Sequence, residues 1–181
     1  GPGPTARRPL RRELAPGHRY RAIMPDNLWP QEIPDFRDSV YGLYQALDGL
    51  GLRLLSAIAR FLDLPTDYFA APVRDGNSIL RLLHYPPVAP NPQGVRAGAH
   101  EDINAITLLL GAEEAGLQLL DRDGQWIDVA PPPGALVVNI GDMLQRLTNH
   151  RLPSTTHRVI NPAPERASHA RYSMPVSYTH L

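Results

Sequence analysis

The chain has 181 residues, no cysteine, and 18 acidic against 18 basic side chains. That length suits one domain with a sizeable core, zero net charge offers no global field to nucleic acid or an acidic membrane, and the lack of cysteine removes disulfide scaffolds and thiolate metal sites. No apolar run is long enough to span a bilayer and no charged-then-apolar leader is present, so the expectation is a soluble, cytoplasmic protein whose partner is a small molecule.

Residues 1–25 are rich in Pro, Gly and Arg, with Arg7, Arg8, Arg11, Arg12, Arg19 and Arg21 against Glu13. So apolar-poor a stretch reads as a solvated connecting segment; a basic arm touching an anionic partner is the alternative. Residues 26–70 read as helical support. Pro34-Asp35 supplies a start signal, and Val40, Leu43, Tyr44, Leu47, Leu50, Leu54, Leu55, Ile58, Phe61 and Leu62 recur at helical spacing up to Leu64-Pro65. Gly49 and Gly51 slacken this helix, at about 1 kcal/mol each against alanine. A short second helical piece is expected from Thr66 to Ala70.

Residues 71–175 read as a β core. A strand from Ile79 to Tyr85 ends at Pro86-Pro87, which a central strand could not continue through. Val88 to Gly98 is a loop. Ile106 to Leu110 is a buried strand, Leu117–Leu120 and Trp126–Val129 form a hairpin around Asp123-Gly124, and Ala135 to Ile140 is another buried strand. Gly141-Asp142 then opens a helical turn through Leu147. Short strands at regular spacing with Pro/Gly turns mark an antiparallel jelly roll. Residues 176–181 read as an atypical tail.

The chemistry gathers around Gly98-Ala-His-Glu-Asp-Ile-Asn-Ala-Ile-Thr107. In an extended strand, positions i and i+2 share a face, so the His100 imidazole and Asp102 carboxylate converge. With His157 arriving from a distant short strand, they make the 2-His-1-carboxylate facial set that binds Fe(II) and leaves positions open. The bland alternative is a surface histidine beside a turn aspartate. Asn104 shares the phase of His100 and Asp102 and is expected to face substrate, while Glu101 points away. Arg171-Tyr-Ser173 repeats the i, i+2 arrangement with a guanidinium fork and a hydroxyl, a good receptor for a dicarboxylic acid. Asn139 and Asp142 read as turn and cap residues, Arg158 as structural, and His18, His84, His150, His169 and His180 as non-ligands.

His100-x-Asp102, His157 and Arg171-x-Ser173, in that order, resemble the Fe(II)- and 2-oxoglutarate-dependent oxygenases, in particular the isopenicillin N synthase-like branch. Asn27-Leu-Trp-Pro30, Leu80-Arg-Leu-Leu-His-Tyr-Pro-Pro87 and Leu136-Val-Val-Asn-Ile-Gly-Asp142 add to the likeness, which runs from about Met24 to Pro175. The resemblance implies a double-stranded β-helix with flanking helices, Fe(II) on His100, Asp102 and His157, and 2-oxoglutarate as co-substrate with O2. It implies that Arg171, Ser173 and Tyr85 hold the far carboxylate of the co-substrate, with Leu83 standing where relatives often carry asparagine. The activity implied is hydroxylation or desaturation of a small organic substrate with release of succinate and carbon dioxide. Relatives carry a further N-terminal region and a C-terminal helix, so a truncated member is expected. Two other readings stay open: a 2-oxoglutarate-independent oxidase of the isopenicillin N synthase type, and a non-catalytic jelly-roll module.

Overall fold

A computed structural model of the protein describes residues 16–18, 27–74, 76, 78–89, 92–110 and 116–179. The basic opening segment lies almost wholly outside these residues. The chain forms two compact units, residues 1–75 and 76–180, so the helical segment stands as a unit of its own and the β core begins slightly later than residue 71.

In the first unit, helix α1 (Phe36–Phe61) runs for 26 residues and buries Leu47, Gly51, Leu55 and Ala59. Their four-residue spacing is the apolar stripe the sequence predicts. The helix ends where Asp63 takes a left-handed φ of 58° and Pro65 forbids its continuation. Helix α2 (Ala70–Arg74) starts later than the expected Thr66, because turns occupy the chain after Pro65: the Tyr68 amide donates to the Pro65 carbonyl at 2.9 Å and the Ala70 amide to the Asp67 carbonyl at 2.8 Å. Among the described residues no helix is long and apolar enough to cross a membrane.

The second unit is a jelly roll of two antiparallel sheets. Its strands are β1 (Ile79–Leu80), β2 (Leu83–Tyr85), β3 (Ala97–His100), β4 (Ile106–Leu110), β5 (Leu117–Leu120), β6 (Trp126–Asp128), β7 (Leu136–Ile140), β8 (His157–Val159) and β9 (Arg171–Tyr178), with helix α3 (Asp142–Leu147) between β7 and β8. One sheet has the order β1-β9-β4-β7, with β2 also on β9; the other is β3-β8-β5-β6. From β3 onward the chain changes sheet at almost every connection, which winds a double-stranded β-helix. Strand β4 lies between β7 and β9, and its Ile106 and Leu108 are 0% exposed, as the uninterrupted apolar run requires.

Two expectations change. The single strand predicted from Ile79 to Tyr85 is broken at Arg81-Leu82, although both pieces keep one register on β9, Leu80 opposite Val176 and Leu83 opposite Ser173. Pro175 stands opposite the gap; it accepts from the Arg81 amide at 3.0 Å but has no N–H to return. The expected tail is also partly core. Strand β9 continues through Val176 and Tyr178, which are 0% and 1% exposed, because each pairs with β4.

Candidate metal centre

Strands β3 and β8 are antiparallel neighbours whose register places His100 directly opposite His157, with ring centroids 4.4 Å apart. A register shift between Ala97 and His100 lets the strand turn locally. Strand β3 ends at His100, so strand alternation is not what brings Asp102 to the histidines. Residues 101–105 instead cross from one sheet to the other, and the start of α3 holds that crossover. The Gly141 amide donates to the Ala105 carbonyl at 2.9 Å, Asp142 to Asp102 at 2.8 Å and Met143 to Asn104 at 3.2 Å. The first amides of a helix lack intrahelical partners; here three carbonyls of the crossover accept from them or from the adjoining cap residue.

His100, Asp102 and His157 can each offer a ligand atom within 4.8 Å of the others, the one such group among the described residues. His157 Nε2 and Asp102 Oδ1 are 3.9 Å apart. Nδ1 of His100 lies 2.8 Å from the Gly98 carbonyl and Nδ1 of His157 lies 3.1 Å from the Thr155 carbonyl. A carbonyl can only accept, so each Nδ1 donates, and in the neutral ring this leaves the Nε2 lone pair for a metal. Two neutral imidazoles and one carboxylate suit Fe(II) or a similar divalent ion.

The carboxylate is oriented as firmly as the rings. Asp102 Oδ2 accepts from the Thr107 hydroxyl at 2.6 Å and from the Asn139 amide at 3.0 Å, while Asn104 Nδ2 donates to Thr107 Oγ1 at 2.8 Å. That leaves Oδ1 toward His157. Thr107 pairs with Asn139 on one side and Ser177 on the other, and Ser177 pairs with Ile79, so a single row across the first sheet underlies the ligand. Asn139 is therefore a positioning residue rather than the expected turn residue, and Thr107 is one that sequence reasoning missed. The available signal was a polar residue inside each of two strongly apolar strands, Ile106–Leu110 and Leu136–Ile140. Groups that orient metal ligands are worth about 10- to 100-fold in metal affinity. Asn139→Ala and Thr107→Val are each expected to weaken Fe(II) binding by about that factor, measured by anaerobic titration; unchanged affinity in both would remove them from the site.

Arg171 and Ser173 are 3% and 5% exposed, with Tyr172 between them at 64%, so β9 turns both inward as alternation predicts. Tyr85 is the register partner of Arg171, and the guanidinium carbon lies 5.2 Å from the Tyr85 ring centroid. Burial lowers the Arg171 pKa from its ordinary value, Tyr85 opposes the shift and the charge of Arg96 adds to it. Asn104 does not share a strand with His100: it sits in the crossover, 2% exposed, so strand phase is no reason to aim it at substrate, though it does form part of the cavity wall. Glu101 accepts from the Thr156 hydroxyl at 2.8 Å and also lines the cavity beside the ligands. Arg158 is structural, bonding Gln118 at 2.8 Å and lying over the Trp126 ring at 3.9 Å. His84 stacks on Tyr172, and Asn149 and His150 adopt left-handed backbone geometry, φ 50° and 63°.

A cavity of about 470 Å³ opens beside the ligands, lined by His100 and Asp102 together with Ile79, Arg81, Met143 and Ser177 among others. That volume suits a small organic molecule.

Residues 76–180 match the 2OG-Fe(II) oxygenase superfamily. The chain is 39% identical over 179 residues to a 2-oxoglutarate-Fe(II) type oxidoreductase of Emericella nidulans, covering 92% of this chain and 50% of that protein. Among solved structures it is similar to a 2OG-Fe(II) oxygenase family protein from Caulobacter crescentus, with 61% identity, a TM-score of 0.83, and coverage of 93% of this chain and 54% of that one. It is also similar to a full-length Neurospora crassa protein solved in complex with alpha-KG and thymine, with 36% identity, a TM-score of 0.77, and coverage of 84% and 49%. The chain thus spans about half the length of the relatives it matches.

Proposed function

Because the chain belongs to the 2OG-Fe(II) oxygenase superfamily, we propose that it couples oxidative decarboxylation of 2-oxoglutarate to hydroxylation or desaturation of a small organic substrate. The observation that carries this reading is the meeting of one ligand atom from each of His100, Asp102 and His157 within 4.8 Å, each side chain aimed by a partner of its own. His100, Asp102 and His157 would hold Fe(II), and three protein donors leave positions free for small molecules. The bound metal and co-substrate supply the oxidising chemistry, including activation of O2.

The rest falls to side chains of this chain. Arg171 presents a buried guanidinium and Ser173 a buried hydroxyl from one face of β9, and together they bind the far carboxylate of 2-oxoglutarate. Tyr85, facing the same guanidinium, shapes that pocket. Ile79 and Met143 give the cavity its apolar wall. A small-molecule substrate agrees with the thymine held by the Neurospora crassa relative.

Anaerobic addition of Fe(II) and then 2-oxoglutarate to the metal-free protein should produce a weak visible charge-transfer band. Admitting O2 should then release succinate. Arg171→Ala should raise the 2-oxoglutarate Kd by about 10- to 100-fold, the loss expected of a charge-assisted pair, without removing Fe(II) binding. One Fe(II) bound with no response to 2-oxoglutarate would point to the co-substrate-independent oxidase instead.

A further inference from the structure

Arg96 stands immediately before β3, four positions ahead of the first metal ligand, and takes no part in the metal centre. Its Nη2 donates to the His169 carbonyl at 3.1 Å, which anchors the guanidinium beside the main chain leading into Arg171. Its Nε and Nη1 are buried and have no hydrogen-bond partner among the described residues. Buried polar groups are nearly always satisfied, and leaving a charged donor without an acceptor costs more than leaving a neutral one. No carboxylate pairs with Arg96 among the described residues. Arg171, 3% exposed, is close enough for the Arg96 charge to disfavour its protonated form. Two like charges in a poorly solvated interior repel, and an anion between them would reverse the sign of the interaction.

We propose that Arg96 is a second guanidinium of the carboxylate receptor, placed beside Arg171 and donating to the far carboxylate of the co-substrate, so that it selects a dicarboxylic 2-oxo acid over a monocarboxylic one. This rests on the 2-oxoglutarate reading above and extends it. Arg171 and Ser173 reach the receptor from β9, in the first sheet, whereas Arg96 reaches it from the head of β3, in the second. The anion would then link the two sheets, with the His169 carbonyl fixing the Arg96 side chain before it arrives. Gly98, whose carbonyl accepts from His100, is two residues from Arg96, so the same short stretch serves both the metal and the carboxylate.

The test compares two ligands on the Fe(II)-loaded 181-residue chain without oxygen, following the charge-transfer band. One is 2-oxoglutarate; the other is 2-oxopentanoate, which keeps the chelating head and has a methyl group in place of the far carboxylate. In Arg96→Gln the 2-oxoglutarate Kd should rise about 10- to 100-fold, while the 2-oxopentanoate Kd stays within about 2-fold, the scatter expected when no contact is lost. Arg96→Lys, which keeps the charge and loses donors, should show a smaller rise confined to 2-oxoglutarate, and it carries the test if the Gln variant loses its thermal unfolding transition. Parallel weakening of both ligands, or no change in either, overturns the proposal and leaves Arg96 as a tether for His169. Wild-type protein that binds the two ligands equally would overturn the Arg171 receptor along with it. Wild-type discrimination that persists in Arg96→Gln and Arg96→Lys would overturn the Arg96 assignment alone.

Discussion

Asp102→Ala is expected to abolish stoichiometric Fe(II) uptake, weakening binding by well over about 100-fold, since even groups that only orient a ligand are worth 10- to 100-fold. The carboxylate is the one anionic donor of the three, and its loss leaves two neutral imidazoles as a bidentate site. The fold should survive. Asp102 lies on a crossover whose main-chain carbonyls are held by the start of α3, and those bonds do not involve the carboxylate. Thr107 and Asn139 would lose an acceptor, a destabilisation of about 1–3 kcal/mol. The two effects separate in one protein preparation: anaerobic metal titration reads the first and thermal unfolding the second. One Fe(II) bound at near wild-type affinity in Asp102→Ala would refute the triad.

Gly141→Ala should also weaken the site, from a residue with no chemistry of its own. A methyl group built there would meet the Asn104 main-chain carbonyl oxygen, and it would lie 2.5 Å from Asn104 Oδ1 and 2.8 Å from its carbonyl carbon. The backbone conformation at Gly141 is one any residue adopts, φ −102° and ψ 171°, so the requirement is for space alone. Backbone has to move, and overpacking of this kind costs about 1–3 kcal/mol or more. The segment that moves is the one carrying Asp102, because Asn104 and Ala105 accept from the start of α3. Expected results are a lowered Tm and an Fe(II) affinity reduced by about 10- to 100-fold. Gly141→Ala protein with wild-type Tm and metal affinity would show that the crossover is not clamped there.

The two predictions draw on different kinds of information. His100, Asp102 and His157 were legible as letters because metal chemistry restricts the residue types that can serve. That Arg171 and Ser173 share a buried face was legible because strand alternation is local, and β9 obeys it. Alternation failed at Asp102 and Asn104 for an equally local reason: β3 stops at His100, and the chain leaves the sheet. The broken strand at Arg81-Leu82 could not be foreseen, since its cause is Pro175, distant in sequence and brought opposite only by the register of β9.

What the amino-acid order determined by itself was the set of donors, the apolar runs that become buried strands, and the long helical stripe, all consequences of side-chain chemistry and short-range period. Only the tertiary structure decided that Thr107, Asn139 and Ser177 form one row under the ligand, that Gly141 must lack a side chain, and that two nitrogens of Arg96 are buried without a partner among the described residues. Those are outcomes of pairing between distant strands. A hydrogen bond or a steric contact depends on where two groups come to lie in space, and the local sequence around either one does not specify its neighbour.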